Sequence, residues 1–285
     1  MELAASLRDV VRTMKTLAAI SVRRYERAVV ALNDYQQTVE LGLRAALRDA
    51  APAQPRARRA GGSRHGLLVF GSDQGLCGTF NEQVVARLRE DLEAGEPDGD
   101  RPRLYAVGAR VAGRLVEVGL VPEGEATLPL SISLMSSLVQ DLLVLIDGWR
   151  SDGDLDGVSL YYNRPVSSNA TKPHRTVLLP ITPERLRALR AEPWPTRQLP
   201  MLATDRAALT GALTRQYLFV GLHRALAFSL MAEHTSRLVA MQAAERNIDE
   251  RLDELTSRYH TERQTAITAE LLDIVSGAEA LVHGA

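Results

Sequence analysis

Lysine is almost missing from this 285-residue chain. Lys15 and Lys172 stand alone, so arginine supplies nearly all of the 34 basic side chains. Arginine stays charged at any physiological pH and presents a flat fork of donors suited to carboxylates. The acidic residues number 35, and a net charge of −1 gives no general attraction for nucleic acid. Cysteine occurs once, at Cys77, which excludes an internal disulfide and fits a reducing compartment. No Cys-x-x-Cys or His-x-x-x-His spacing occurs, and the six histidines (65, 174, 223, 234, 260 and 283) are scattered, so no metal is expected. The first residues contain no apolar run long enough for a signal or a membrane span. They are basic and amphipathic, as transit peptides are, but Glu2, Asp9 and a continuing heptad favour a mature helix.

Proline is absent from 205–275, where the only glycines before Val275 are Gly211 and Gly221. Without the two strongest helix breakers, this stretch predicts one helix of roughly 70 residues, near 100 Å at about 1.5 Å per residue. Apolar residues recur at Leu238, Met241, Ile248, Leu252, Leu255 and Tyr259, then in a shifted phase at Ile267, Leu271, Ile274, Ala278 and Leu281. The slip resembles a coiled-coil stutter, and so narrow a seam needs a partner. Leu3, Leu7, Val10, Met14, Leu17, Ala28, Leu32, Tyr35 and Val39 form a second seam, with no proline before Pro52. Some 45 residues of helix are expected there. The two seams join most simply as an antiparallel coiled coil, the C-terminal helix projecting beyond its shorter mate. Two helices packed separately on a globular core, or a coil between two copies of the chain, satisfy the same periodicity.

The prolines and glycines gather elsewhere. APAQPRARRAGGSR, ending at Arg64, reads as a linker. The middle then alternates: strand 66–70, a helix capped at Thr79 or Asn81, strand 104–107, and a helix from Gly108 to near Gly119. A third helix begins at Ser131 or Ser133 and is expected to bury Leu134, Leu138, Leu142, Leu145 and Ile146. Strands 158–162 and 176–179 follow, with Ser167–Pro173 as their loop, and Pro193, Pro195 and Pro200 make an extended return. This pattern predicts a mostly parallel sheet with a possible antiparallel edge. The fold class is therefore α/β with long helices: a coil of terminal helices with an inserted Rossmann-like domain. Its expected segments are a shaft helix at 1–50, the linker at 51–64, a foot at 65–203 and a second shaft helix at 204–285.

The glycine loop Gly71-Ser-Asp-Gln-Gly-Leu-Cys-Gly78 lies between a strand and a helix, where phosphate loops occur. It has neither the G-x-G-x-x-G spacing nor a P-loop lysine, so a loop exposing backbone to a protein is the better reading. Cys77 has no histidine near it in sequence and reads as a small buried thiol. Asp249, Glu250, Asp253 and Glu254 form an acidic patch, read first as a solvated face.

Three stretches carry a family resemblance. Ser72-Asp-Gln-Gly-Leu-Cys-Gly-Thr-Phe-Asn81 resembles the S-D-R-G-L-C-G-G-F-N signature of the gamma subunit of F-type ATP synthases. Arg263-Gln-Thr-Ala-Ile-Thr-Ala-Glu-Leu-Leu-Asp-Ile-Val-Ser-Gly-Ala278 resembles that family's R-Q-A-x-I-T-x-E-L-x-E-I-V-x-G-A. Met14-Lys-Thr-Leu-Ala-Ala19 is similar to its M-K-M-V-A-A. Thr79 for glycine, and Ile20-Ser21 near the position of a usual lysine, mark a divergent branch of the kind found among alternative bacterial rotary ATPases.

The resemblance implies a non-catalytic rotor without a cofactor. The coil would stand inside a hexamer of α and β subunits, and the foot would bind the epsilon subunit and the c-ring. Ion flow would then drive ATP synthesis, or hydrolysis would drive pumping. The implied setting is peripheral, on the cytoplasmic face of a bacterial inner membrane, with membrane contact only through the complex. By motif, Arg263 and Gln264 contact a β-subunit loop with Thr268 and Glu270 close by. Met14, Lys15 and Arg237 face the β C-terminal domains, and the loop around Cys77 lies near them. A static coiled-coil scaffold and a Rossmann-like nucleotide-binding enzyme are the rival classes. The first gives no reason for the 263–278 signature, and the second lacks ligand residues at the glycine loop.

Overall fold

The computed structural model describes residues 2–48, 64–95, 102–152, 155–192, 194–198, 201 and 205–283. The expected linker, apart from Arg64, lies outside the described residues, as do Pro193 and Pro200. Long helices open and close the chain: α1 at Glu2–Leu47 and α6 at Arg206–His283. Between them come β1 (Arg64–Phe70), α2 (Phe80–Glu93), β2 (Arg103–Val107), α3 (Ala109–Glu117), β3 (Gly124–Ala126), α4 (Ile132–Ser151), β4 (Leu155–Ser167), β5 (Ala170–Leu179) and α5 (Pro183–Ala191). The chain divides into two compact units, residues 18–239 and residues 1–17 with 240–285.

In the larger unit the sheet order is β3-β2-β1-β4-β5, parallel except for the last pair. Leu67 to Phe70 in β1 is an unbroken apolar run because the central strand is covered on both faces. Leu67 and Val69 meet Val84, Leu88, Val111 and Leu115 of α2 and α3. Leu68 and Phe70 point the other way, to a core shared by α4, α6 and α1. Residues Leu218 to Leu230 of α6 belong to that core, so the long helix is itself a layer on the sheet. Among the described residues α4 alone has the length and apolarity to cross a membrane. Its Met135, Leu142, Ile146 and Trp149 are buried in the same core.

Four expectations change. In α4 Leu134 is exposed, and the buried row runs through Met135, Leu138, Val139 and Leu142. The segment 170–173, expected as loop, is strand, because β5 pairs with β4 as far as Ala170 opposite Ser167. Pro173 is tolerated there because β5 is an edge strand. The return after β5 includes α5, whose N-terminus is capped by Thr182, the hydroxyl accepting from Arg185 N at 3.2 Å. Last, the expected seam of α1 is wrong at its start: Leu3 is 76% exposed, and Leu7, Val10 and Leu17 are also exposed.

The inward face of α1 keeps Leu32 and Val39 of the expected seam but otherwise lies one position round, with Ala18 for Leu17, Val29 for Ala28 and Gln36 for Tyr35. In the larger unit it runs Ala18, Val22, Tyr25, Val29, Leu32, Gln36, Val39, Leu43 and Ala46, a strict alternation of steps of three and four. Antiparallel pairing to α6 shows in Tyr25 stacked on His234 and Tyr35 donating to Gln216 at 2.9 Å. In the smaller unit the half-buried face is Ala4, Arg8, Val11 and Lys15, opposite acidic side chains of α6.

Candidate functional site

The loop after β1 concentrates unusual backbone. Leu76 has φ 62°, Gly78 φ 60° and Gly108, opposite, φ 119°. A Cβ on Gly71 would lie 2.2 Å from Val111 Cβ, and one on Gly108 2.8 Å from the Ser72 carbonyl oxygen. Glycine is needed at both places for the loop and α3 to close on one another. Asn81 then ties the loop into a ring. Its Oδ1 accepts from Ser72 N at 3.0 Å, and its Nδ2 donates to Ser72 Oγ at 2.9 Å. Ser72 Oγ in turn donates to the Gln74 carbonyl at 2.9 Å.

Asp73 fills the place an anion would take. Its carboxylate accepts from Ala109 N, at the start of α3, and from Leu128 N, each at 2.8 Å. A helix N-terminus of this kind is where a nucleotide phosphate would sit in a Rossmann enzyme. The protein's own carboxylate occupies it here.

The far side of the loop is seated on α6. Cys77 and Phe80 pack against Ala232. Arg237 Nη2 donates to Glu233 Oε1 at 2.7 Å and to the Gly75 carbonyl at 3.3 Å. Its Nη1 lies 3.3 Å from Nδ1 of His234, the ring stacked on Tyr25. Arg237 is only 7% exposed, and Glu233 Oε2 is buried without a partner. Burial pushes the Glu233 carboxyl above its usual range, against the opposing pull of Arg237. Burial, then the Arg237 and Arg24 charges, lowers His234 to about 4. Burial also raises the Cys77 thiol, which disfavours the nucleophilic thiolate. The arrangement is a clamp in which a permanent cation fastens a loop carbonyl to a helix.

Neither the Arg237 guanidinium nor the Cys77 thiol is therefore at the surface. The sequence marks Arg237, while Glu233 and His234 join it only in the folded structure. The signal is an acid four residues before an arginine, between the mostly apolar stretches 225–232 and 238–241, the spacing that puts both on one helix face.

Met14 and Lys15, in the smaller unit, are half-buried. Lys15 and Arg12 both reach Glu245, Arg12 Nε at 3.3 Å from Oε1, and Arg8 pairs with Asp249 at 3.7 Å. The Lys15 hydrogen bond, more than that from Arg12, holds the Glu245 carboxyl below its usual range. Of the acidic patch, Asp249 is thus paired, and Glu254 meets Arg251 at 2.6 Å. From Ser257 to Leu272 every residue of α6 is exposed, Arg263, Gln264, Thr268 and Glu270 included. Thr268 Oγ1 donates to the Gln264 carbonyl at 2.8 Å, a bond internal to the helix. Tyr259, Ile267, Leu271 and Leu272 expose large apolar side chains on this stretch, and Ile274 does so just beyond it.

A family model described as "ATP synthase" matches residues 1–281. The chain belongs to the ATP synthase gamma family. The ATP synthase gamma chain of Granulibacter bethesdensis is 31% identical over 290 residues, covering 97% of this chain and 95% of that protein. That of Nitrosomonas europaea is 31% identical over 221 residues, covering 76% and 74%. A chain in the Euglena gracilis mitochondrial ATP synthase OSCP/F1/c-ring structure superposes with a TM-score of 0.63 at 18% identity, covering 99% of this chain and 93% of that one. A chain from the central stalk and c-ring of the Tetrahymena thermophila enzyme gives 0.57 at 17% identity, covering 82% and 99%. Like the gamma chains it resembles, this protein has long terminal helices around a central mixed sheet.

Proposed function

We propose that this gamma-family chain is the rotating, non-catalytic central stalk of an ATP synthase. It couples ion flow through a membrane c-ring to ATP synthesis or hydrolysis in an α/β hexamer. The observation that carries the proposal is the bare end of α6. Residues 257–272 are exposed on all sides and include large apolar groups, which a stable protein covers with a partner. Arg263 and Gln264 meet a β-subunit loop, where guanidinium and amide groups form directional bonds that can hold one orientation and release it on turning. Thr268 and Glu270 stand beside them, and Met14 faces the same subunits from α1, where Lys15, turned inward to Glu245, braces the shaft. Arg237 and Cys77 act from beneath, keeping the signature loop seated. Segments 1–50 and 204–285, which contain α1 and α6, serve as shaft, and the α/β segment 65–203 as a foot on the epsilon subunit and c-ring. The complex sits on the cytoplasmic face of the bacterial inner membrane.

Crosslinking tests this reading. In a Cys77→Ser background, with accessible thiols removed from the partners, one cysteine replaces Gln264 and another is placed on the facing β loop. A disulfide requires Cα atoms within about 7 Å, so its formation reports proximity. A second crosslink is made from exposed Ile20 to the surrounding subunits. Oxidation at Ile20 is expected to stop both ATP hydrolysis and pumping, and reducing agent to restore them. Full coupled pumping with that crosslink closed in every complex refutes a rotating stalk.

A further inference from the structure

The hairpin of β4 and β5 carries basic side chains that the stalk reading does not use. Tyr162 pairs with His174 and Arg164 with Lys172, so side-chain alternation puts all four, with Thr176, on one face. Between that face and α6 lies a cleft of about 190 Å³, lined by Gln36, Tyr162, Arg164, His174, Thr176 and Arg224 among others. The guanidiniums of Arg164 and Arg224 stand 4.4 and 5.9 Å from the centroid of one ring, Phe228. Two cations of the cleft lining thus share one aromatic neighbour.

Nothing in the described chain neutralises them. Neither arginine has a carboxylate partner among the described residues, and the cleft lining contains no carboxylate. Gln36 bonds to Arg224 on one side and to Glu40 on the other, but Glu40 is committed to Arg185. Arg224 Nε is buried with no acceptor, and a buried donor left unpaired costs about 1–3 kcal/mol. The local field is felt by His174, which burial first, and then the Arg164 and Arg87 charges, hold below the usual histidine range.

We propose that this cleft binds a small oxyanion of the phosphate class, bridged by Arg164 and Arg224. Guanidinium forks match phosphate oxygens two at a time, and the Thr176 hydroxyl, bonded to the Tyr162 hydroxyl at 3.1 Å, adds a donor when Tyr162 donates to it. Lys172, on the same face but outside the cleft lining, adds to the positive field that favours a multiply charged anion over a single carboxylate. Size limits the ligand: pockets for drug-sized molecules run to about 300–1,000 Å³, so this cleft takes phosphate or pyrophosphate and not a whole nucleoside.

Calorimetry on the full-length chain at low ionic strength tests the site, with inorganic phosphate and pyrophosphate as probes. Saturable binding at one site per chain is expected. R164Q and R224Q should each weaken it at least 10-fold, while R150Q, on the exposed surface of α4, leaves it unchanged. If R224Q loses its far-UV dichroism, R164K carries the test, because it retains the charge and loses the fork; a 10-fold loss is expected there too. Pyrophosphate binding that excess adenosine fails to displace supports a phosphate site. Displacement by adenosine assigns the cleft to the base and overturns the proposal. So does an absence of saturable heat with both anions, or equal weakening by R150Q.

Discussion

Replacing Arg237 with methionine keeps a long apolar stem and removes the charge facing Glu233. The buried carboxylate must then stay ionised without a partner or take up a proton. Protonation sets a ceiling on the penalty, at about 1.36 kcal/mol for each pH unit above the unfolded value. With that value at 4.5, the ceiling is about 4 kcal/mol at pH 7.5 and below about 1 kcal/mol at pH 5.0. The sign follows from burial, which already raises the folded pKa. The Glu233 contribution is fully present below pH 4.5 and is lost as pH rises through the folded value. Removing Arg237 pushes that value higher and deepens the loss. Urea unfolding of the full chain, followed by far-UV dichroism at both pH values, measures the effect. R237M should be destabilised by about 1–3 kcal/mol at pH 7.5, short of the ceiling because burial already raises Glu233 in the parent, and by much less at pH 5.0. Adding E233Q should restore most of the loss at pH 7.5, since no charge is then stranded. A deficit that does not change with pH, or a double variant no better than R237M, refutes the argument. Arg237 would then act only through the Gly75 carbonyl and its packing.

Three further perturbations probe other links. G108A places a Cβ 2.8 Å from the Ser72 carbonyl at φ 119°; it should cost about 1–3 kcal/mol or more. G119A, at φ 81° with nothing nearby, should cost only about 1–2 kcal/mol, and urea midpoints separate the two. His234, held down to about 4, binds fewer protons folded than unfolded, so its contribution to stability is lost as pH falls from 6.5 towards 4. H234F keeps the stack on Tyr25 and should flatten part of that acid limb; a slope parallel to the parent's contradicts the assignment. A243P removes a helical donor in α6 and costs about 3 kcal/mol locally. The 18–239 unit should keep its fold by far-UV dichroism, while normal ATP-driven pumping by the mutant complex contradicts a shaft role.

Local physics made the long elements legible. The scarcity of proline and glycine in 205–275 marks α6, and the apolar run at 67–70 marks a strand covered on both faces, because both signals act within a few residues. The signature stretches at 14–19, 72–81 and 263–278 were equally plain, and so was the family. Which face of a helix is buried is different, since it depends on what lies opposite. Leu3, Leu7, Val10 and Leu17 have ideal spacing, yet at this end Arg8 and Lys15 turn inward because α6 presents Asp249 and Glu245. One position along a helix is a rotation of about 100°, enough to exchange an apolar face for a charged one. Likewise 170–173 became strand only because 163–167 lay beside it with unpaired backbone groups. Sequence placed Arg237 on the shaft, but its partners Gly75 and Glu233 lie 162 and four residues away. Only folding brings the loop to the helix, so the clamp belongs to the tertiary structure, as does the cleft between Arg164 and Arg224.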